Sequence, residues 1–243
     1  MPSQDTLLSA QCLRKQYGAL VVLDGVDFEV RRGDAIGIVG PNGAGKTTLL
    51  SVLSGSQGAS AGAIYFRGAD VSALDAARRC RMGIARTHQV PQPFGGMTVF
   101  ENVLTAATHG GGFKRAEAYD RCIDALALCG MTKVANRRAE TLGLLDRKRL
   151  ELTRALATNP RVLLLDEIGG GLTDGEATEL VQTIRVLHAR DIAIVWIEHI
   201  VHILLQVAQR LVCMDAGRVI AEGDPKEVLA NATVVDAYLG GGR

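Results

Sequence analysis

The run Gly40-Pro41-Asn42-Gly43-Ala44-Gly45-Lys46-Thr47-Thr48 fits the phosphate-loop pattern G-x-x-x-x-G-K-[ST]. An apolar segment, residues 35–39, precedes it, and a segment of helical character, residues 47–53, follows. A strand, a glycine-rich loop and a helix in that order predict an α/β fold of the P-loop NTPase type, with a mostly parallel core sheet. Small residues let such a loop wrap a triphosphate. Its backbone N–H groups then converge on the phosphates, together with the positive end of the following helix. Gly40, Asn42, Gly43, Ala44, Gly45, Lys46, Thr47 and Thr48 are therefore the candidate nucleotide-binding residues. Lys46 has the length to reach the β- and γ-phosphates, and Thr47 offers its hydroxyl to Mg²⁺.

With 243 residues, the chain suits one large domain or one domain with a substantial insertion. Its 27 basic and 26 acidic side chains leave a net charge of +1, no basis for a general polyanion-binding surface. Nucleic acid is thus not expected as a partner. Cys12, Cys80, Cys122, Cys129 and Cys213 are odd in number and lack C-x-x-C or zinc-like spacing, which points to reduced thiols used in packing. The first residues lack a charged-then-apolar targeting pattern, and no apolar run reaches the roughly 18 residues of a membrane span. Any role at a membrane is expected to run through a partner.

Before the loop, Leu7-Leu8, Val21-Val22-Leu23 and residues 26–30 alternate with polar breaks, predicting an antiparallel N-terminal β region. Tyr17 sits just outside the first strands; the residues leave open whether it stacks on a base or packs half-buried. Residues 64–66 and 83–87 read as further strands, the second ending at His88-Gln89. Then Pro and Gly between Val90 and Gly96 break regular structure, and helical patterns follow. Thr98 and Glu101 have capping-box spacing ahead of a helix over 99–108. Ala118, Cys122, Ala125, Leu126 and Cys129 recur at helical spacing, with Gly130 placed to end the helix. Residues 90–159 are read as an inserted helical subdomain between core segments 1–89 and 160–243. His109 reads as a helix end, and the pairs Arg78-Arg79 and Arg137-Arg138 as solvated faces.

Asn159-Pro160 stops a helix over 147–158, and Val162-Leu163-Leu164-Leu165-Asp166-Glu167 follows as an apolar strand ending in two carboxylates. Ligands of open α/β sheets bind beyond the carboxyl ends of strands. Asp166 is there the candidate holder of Mg²⁺, through water, and Glu167 the candidate base that polarises the attacking water. Helix and strand then alternate over 175–188, 192–197, 200–209 and 211–214. Glu198-His199 closes one of these strands on the same edge, so His199 is placed to hydrogen-bond a γ-phosphate. A metal cluster with His202 is not needed to explain it. Residues 219–225 end the strands, and 225–239 read as one or two short closing helices.

Across the whole chain these pieces, in this order, resemble the nucleotide-binding subunits of ABC transporters. The resemblance makes 40–47 the Walker A loop, Gln89 the Q-loop glutamine and a Mg²⁺ contact, and 162–167 the Walker B strand with its catalytic glutamate. Leu172-Thr173-Asp174 become the D-loop and His199 the switch histidine. It also implies ATP and Mg²⁺ as cofactors, Tyr17 as the adenine-stacking residue, and Lys46, Gln89, Glu167 and His199 as the catalytic set. The implied partners are a second ATP-binding subunit, membrane-spanning permease subunits that the helical subdomain docks, and indirectly a solute-binding protein. The implied location is the cytoplasmic face of the membrane, held peripherally. Arg86-Thr87-His88-Gln89, Gly96 through Val103, Lys148 through Leu152, Glu222-Gly223-Asp224-Pro225 and Ala237-Tyr238-Leu239 resemble the branched-chain amino acid importers. Urea importers and lipopolysaccharide exporters share similar stretches, and a soluble P-loop switch ATPase is the reading from another class. Such switches usually carry paired cassettes, long coiled coils or a basic tail, absent here.

One stretch departs from the family. Where its Leu-Ser-Gly-Gly-Gln signature belongs, this chain has Leu142-Gly143-Leu144-Leu145-Asp146. Gly143, Leu144, Leu145 and Asp146 remove a hydroxyl, replace two glycines with bulky side chains and add a negative charge where the family meets the opposite subunit's phosphate. The expectation is an asymmetric pair: a complete Walker A and B site in this chain and a weakened one completed in trans.

Overall fold

A computed structural model describes residues 5–239. The two long strands β1 (Thr6–Tyr17) and β2 (Leu20–Arg31) pair antiparallel, and β4 (Ala61–Phe66) with β5 (Ala69–Asp70) extends them into a sheet of order β2-β1-β4-β5. The second sheet has order β10-β9-β3-β8-β7-β6. Its strands are β3 (Ala35–Val39), β6 (Ile84–Arg86), β7 (Val162–Asp166), β8 (Ala193–Ile197), β9 (Arg210–Asp215) and β10 (Arg218–Gly223). Every pair in it is parallel except β9 with β10. All residues of β3, β7 and β8 are buried, the signature of strands covered on both faces.

Alternation along β7 and β8 sorts their side chains into two cores. Val162, Leu164, Ala193 and Val195 face helix α1 (Lys46–Leu53) and the N-terminal sheet, so α1 lies between two sheets and buries Leu49, Leu50, Val52 and Leu53 completely. Leu163, Leu165, Ile194 and Trp196 face the other way, onto α3 (Val99–Thr105), α4 (Arg115–Leu128), α5 (Leu144–Ala157) and α6 (Asp174–His188). The apolar stripe of α4 is buried as its spacing requires, and Gly130 takes a left-handed φ of 67° just past the helix. Thr98 and Glu101 form the expected capping box.

The structure departs from the sequence reading at several places. Helix α2 (Ala76–Met82), capped by Asp75, had no apolar period to announce it. Its Arg79 is not solvated: it is 1% exposed and donates to the carbonyls of Val52, Leu53, Ser72 and Leu74. Those carbonyls include the end of α1, where a cation is favoured and bare acceptors need donors. Helix α7 covers only Val201–Leu204, and α3 runs on as a π-helical turn, Ala106–Gly110, that carries His109 exposed. Two short helices, α8 (Pro225–Ala230) and α9 (Ala232–Leu239), end the described chain.

Candidate active site

The carboxyl ends of β3, β7 and β8 converge on the loop between β3 and α1. That loop turns through Gly40 at φ 144° and Gly45 at φ 98°. A Cβ on Gly40 would lie 2.0 Å from the Met214 carbonyl oxygen, and one on Gly45 2.7 Å from that of Val22, so neither site admits a side chain. A cleft of ≈ 250 Å³ lies over the loop, lined by Asn42, Gly43, Ala44, Gly45, Lys46, Thr47 and Thr48 with Val22 and Glu167. Lys46 is buried, and its ammonium donates to the carbonyls of Gly40 at 2.7 Å and Pro41 at 2.9 Å. Burial pulls its pKa below the usual lysine value, against the opposing pull of Glu167, Cys213 and Asp166.

Asp166, 1% exposed at the end of β7, is fully engaged. Thr47 Oγ1 donates to its Oδ1 at 3.2 Å, and Arg86 Nη2 to its Oδ2 at 2.7 Å. A carboxylate this buried requires such partners. The Arg86 guanidinium also donates to Ser51 Oγ at 2.8 Å, bridging β6, α1 and β7. Sequence reasoning assigned Arg86 no chemistry; the signal was an arginine closing an otherwise apolar strand, Ile84-Ala85-Arg86, ahead of Gln89.

Glu167 follows Asp166 at φ 47°, a left-handed conformation uncommon for glutamate, and its N–H donates to the Ile197 carbonyl. The side chain is thereby turned between two elements. Gln89 Nε2 donates to one oxygen at 2.5 Å, and His199 Nε2 lies 2.8 Å from the other. Gln89, Glu167 and His199 thus form one constellation at the mouth of the loop, while Asp166 and Thr47 form a second beside it.

Two more buried ionisable groups stand behind Glu167. The Lys148 ammonium donates to the Glu167 carbonyl at 3.4 Å, and burial lowers its pKa, opposed by Glu198 and Glu167. Glu198 accepts from the N–H groups of Gly169 at 2.6 Å and His199 at 3.1 Å. Burial raises its pKa, opposed by those hydrogen bonds. Neither residue was singled out for these roles by the sequence. His202 is exposed, and among the described residues no group of three or more His, Cys, Asp or Glu is arranged to hold a metal ion.

Tyr17 is 44% exposed at the end of β1, hydrogen-bonded to Gln57, with the Lys15 ammonium 4.9 Å from its ring centroid. It stands outside the cleft lining, where Val22 of β2 appears instead. The departing stretch opens α5. Gly143 is the N-cap with no side-chain hydrogen bond, and Leu142 is buried. Leu144 is 45% exposed, and Asp146 lies 3.9 Å from Arg149.

The chain matches two family models: ABC transporter over residues 23–169, and branched-chain amino acid ATP-binding cassette transporter over residues 218–243. It is 34% identical to the high-affinity branched-chain amino acid transport ATP-binding protein LivG of Escherichia coli (strain K12), covering 96% of this chain and 98% of that one. Identity to BraF of Pseudomonas aeruginosa, a protein of the same description, is 31% over the same shares. Among solved structures, the ADP conformation of MJ1267, an ATP-binding cassette of an ABC transporter, superposes with a TM-score of 0.88 at 33% identity, covering 97% and 99% of the two chains. The P-loop fold, its antiparallel N-terminal sheet and its helical region are those of this cassette, and the transport reading prevails over a soluble switch ATPase. The chain belongs to the ABC transporter family, as an ATP-hydrolysing subunit of its branched-chain amino acid subfamily.

Proposed function

We propose that this chain binds ATP and Mg²⁺ over the 40–48 loop and hydrolyses ATP to drive import of branched-chain or related amino acids. The observation that carries the site assignment is Glu167 held between Gln89 and His199 beside the buried Asp166–Thr47 pair. Hard oxygen donors in that number fit Mg²⁺, which takes one or two protein ligands and completes its shell with water and phosphate. When bound, the ion would neutralise charge building on the phosphates. Thr47 would hold it directly and Asp166 through water, with Gln89 contributing as its side chain leaves Glu167.

The loop N–H groups and Lys46 bind and orient the phosphates. Glu167 takes the proton of the attacking water, and His199, on its other oxygen, keeps that carboxylate aimed and senses the γ-phosphate. The exposed ring of Tyr17 stacks on adenine. The helical subdomain, residues 90–159, docks permease subunits, so the chain works peripherally on the cytoplasmic face of the membrane, and a solute-binding protein supplies the amino acid. Among the described residues, no helix is long and apolar enough to cross a membrane.

Two such cassettes close head to tail over two nucleotides. With Gly143, Leu144, Leu145 and Asp146 at the start of α5, this chain contributes little to its partner's phosphate, so the natural pair joins it to a different subunit. Glu167→Gln tests the central role: ATP affinity should be retained while turnover of the assembled transporter falls at least about a hundredfold. Near-normal turnover would remove Glu167 as the base.

A further inference from the structure

The C-terminal helix α9 is tied to the phosphate loop by a side chain outside the loop's own motif. Asn231 opens the helix, its Oδ1 accepting the Thr233 N–H at 2.9 Å and its carbonyl those of Val234 and Val235. Val234, 1% exposed, anchors α9 in the core that also contains Val39, Leu211 and Cys213. Tyr238 lies four residues later, on the same helical face. Its hydroxyl accepts the Gly40 N–H at 2.7 Å, across 198 positions of sequence.

Gly40 is the buried residue at which the chain leaves β3 and enters the loop, and it is held on three sides. The Met214 carbonyl packs where a Cβ would project, Tyr238 takes its N–H, and its own carbonyl receives the Lys46 ammonium at 2.7 Å. A buried N–H without an acceptor is costly, and a glycine without one is free to rotate. Beside this contact a cleft of ≈ 720 Å³ runs between Pro41 and Asn42 on one side and Thr233, Asp236 and Tyr238 on the other. The helix therefore meets the loop at a point rather than along a packed seam. Tyr238 is 46% exposed, and its partial burial raises its pKa above the usual tyrosine value, opposed by the Gly40 bond.

We infer that Tyr238 is a positioning residue for nucleotide binding: its hydroxyl sets the Gly40 peptide, and through it the carbonyl that holds Lys46. Docking of the C-terminal helix thereby tunes the loop's affinity for nucleotide. This rests on the 40–48 loop being the nucleotide site, and the test separates the two. Tyr238→Phe in the full chain keeps the ring and its packing while removing only the acceptor. In nucleotide-free protein, the Gly40 amide should exchange with solvent about tenfold faster than in the wild type. Mg-ATP should bind about three- to tenfold more weakly by calorimetry, the size of one neutral hydrogen bond, and the melting temperature should fall only modestly as the Gly40 N–H loses its acceptor. A merely structural role for the ring predicts loss with Tyr238→Ala and none with Tyr238→Phe. Wild-type exchange and affinity in the Phe variant would overturn the inference. A wild-type chain that binds no ATP would overturn the nucleotide reading instead, while the exchange arm still judges the contact.

Discussion

The two ends of this molecule's chemistry are built differently. At the loop, each charged side chain has defined partners: Asp166 has Thr47 and Arg86, Glu167 has Gln89 and His199, and Lys46 has two carbonyls of the loop itself. At the start of α5, Gly143 caps nothing with a side chain, Leu144 stands 45% exposed, and among the described residues Asp146 is paired with Arg149 alone, at 3.9 Å. The first region is preorganised from strands β3, β6, β7 and β8; the second presents a helix end to whatever faces it. Preorganised dipoles and charges do most of the work in such sites, so under the proposed site assignment catalytic capacity would be unevenly distributed over this chain.

The most direct way to break the contrast is to repair the weaker region. Gly143→Ser, Leu144→Gly, Leu145→Gly and Asp146→Gln together restore a hydroxyl, close backbone approach and neutrality, and ATPase activity of the isolated chain should rise about tenfold or more. Robust, cooperative hydrolysis by the unmodified chain alone would break the comparison outright. Damage to the stronger region comes next. Arg86→Gln leaves Asp166 buried beside a neutral group, and removing one partner of such a pair costs about 3–5 kcal/mol. Chemical denaturation should show that loss, and binding of Mn²⁺, followed by its paramagnetic signal, should weaken with it. If stability and metal affinity are both unchanged, the guanidinium is incidental to the site.

The smallest effect concerns Glu198, whose pKa is raised in the fold by burial. Between the ordinary glutamate range and that raised value the native state binds more protons than the unfolded chain, so stability falls as pH rises. Glu198→Gln cannot ionise and keeps one acceptor oxygen for the Gly169 N–H, its amide nitrogen replacing the oxygen that accepts from His199. Wild type and variant should therefore be equally pH-dependent in acid and diverge above the glutamate range, the variant becoming relatively more stable in urea melts at successive pH values. Parallel curves would mean that the buried carboxyl is fully compensated when ionised.

Much of the fold was readable one segment at a time. The 40–48 loop, the capping box of Thr98 and Glu101, the stripe on α4 and the apolar run of β7 are local signals, and each predicted its element because period, caps and turn residues act within a few positions. Helix α2 escaped because its pattern Ala76-Ala77-Arg78-Arg79 looks solvated, whereas Arg79 buries itself against the end of α1. Arg86 escaped for the same reason: its meaning depends on β6 pairing with β7, which brings it beside Asp166.

By itself, then, the sequence determined that a nucleotide-sized loop lies between strand and helix, which acidic residues end the neighbouring strand, and where the signature departs from the family. Those are properties of residue type and spacing. Only the tertiary structure decided which groups meet: Gln89 and His199 on the same carboxylate, Arg86 on Asp166, and Tyr238 on Gly40. The physical reason is that hydrogen bonds and ion pairs form at about 3 Å, a distance set by strand order and helix docking rather than by separation along the chain.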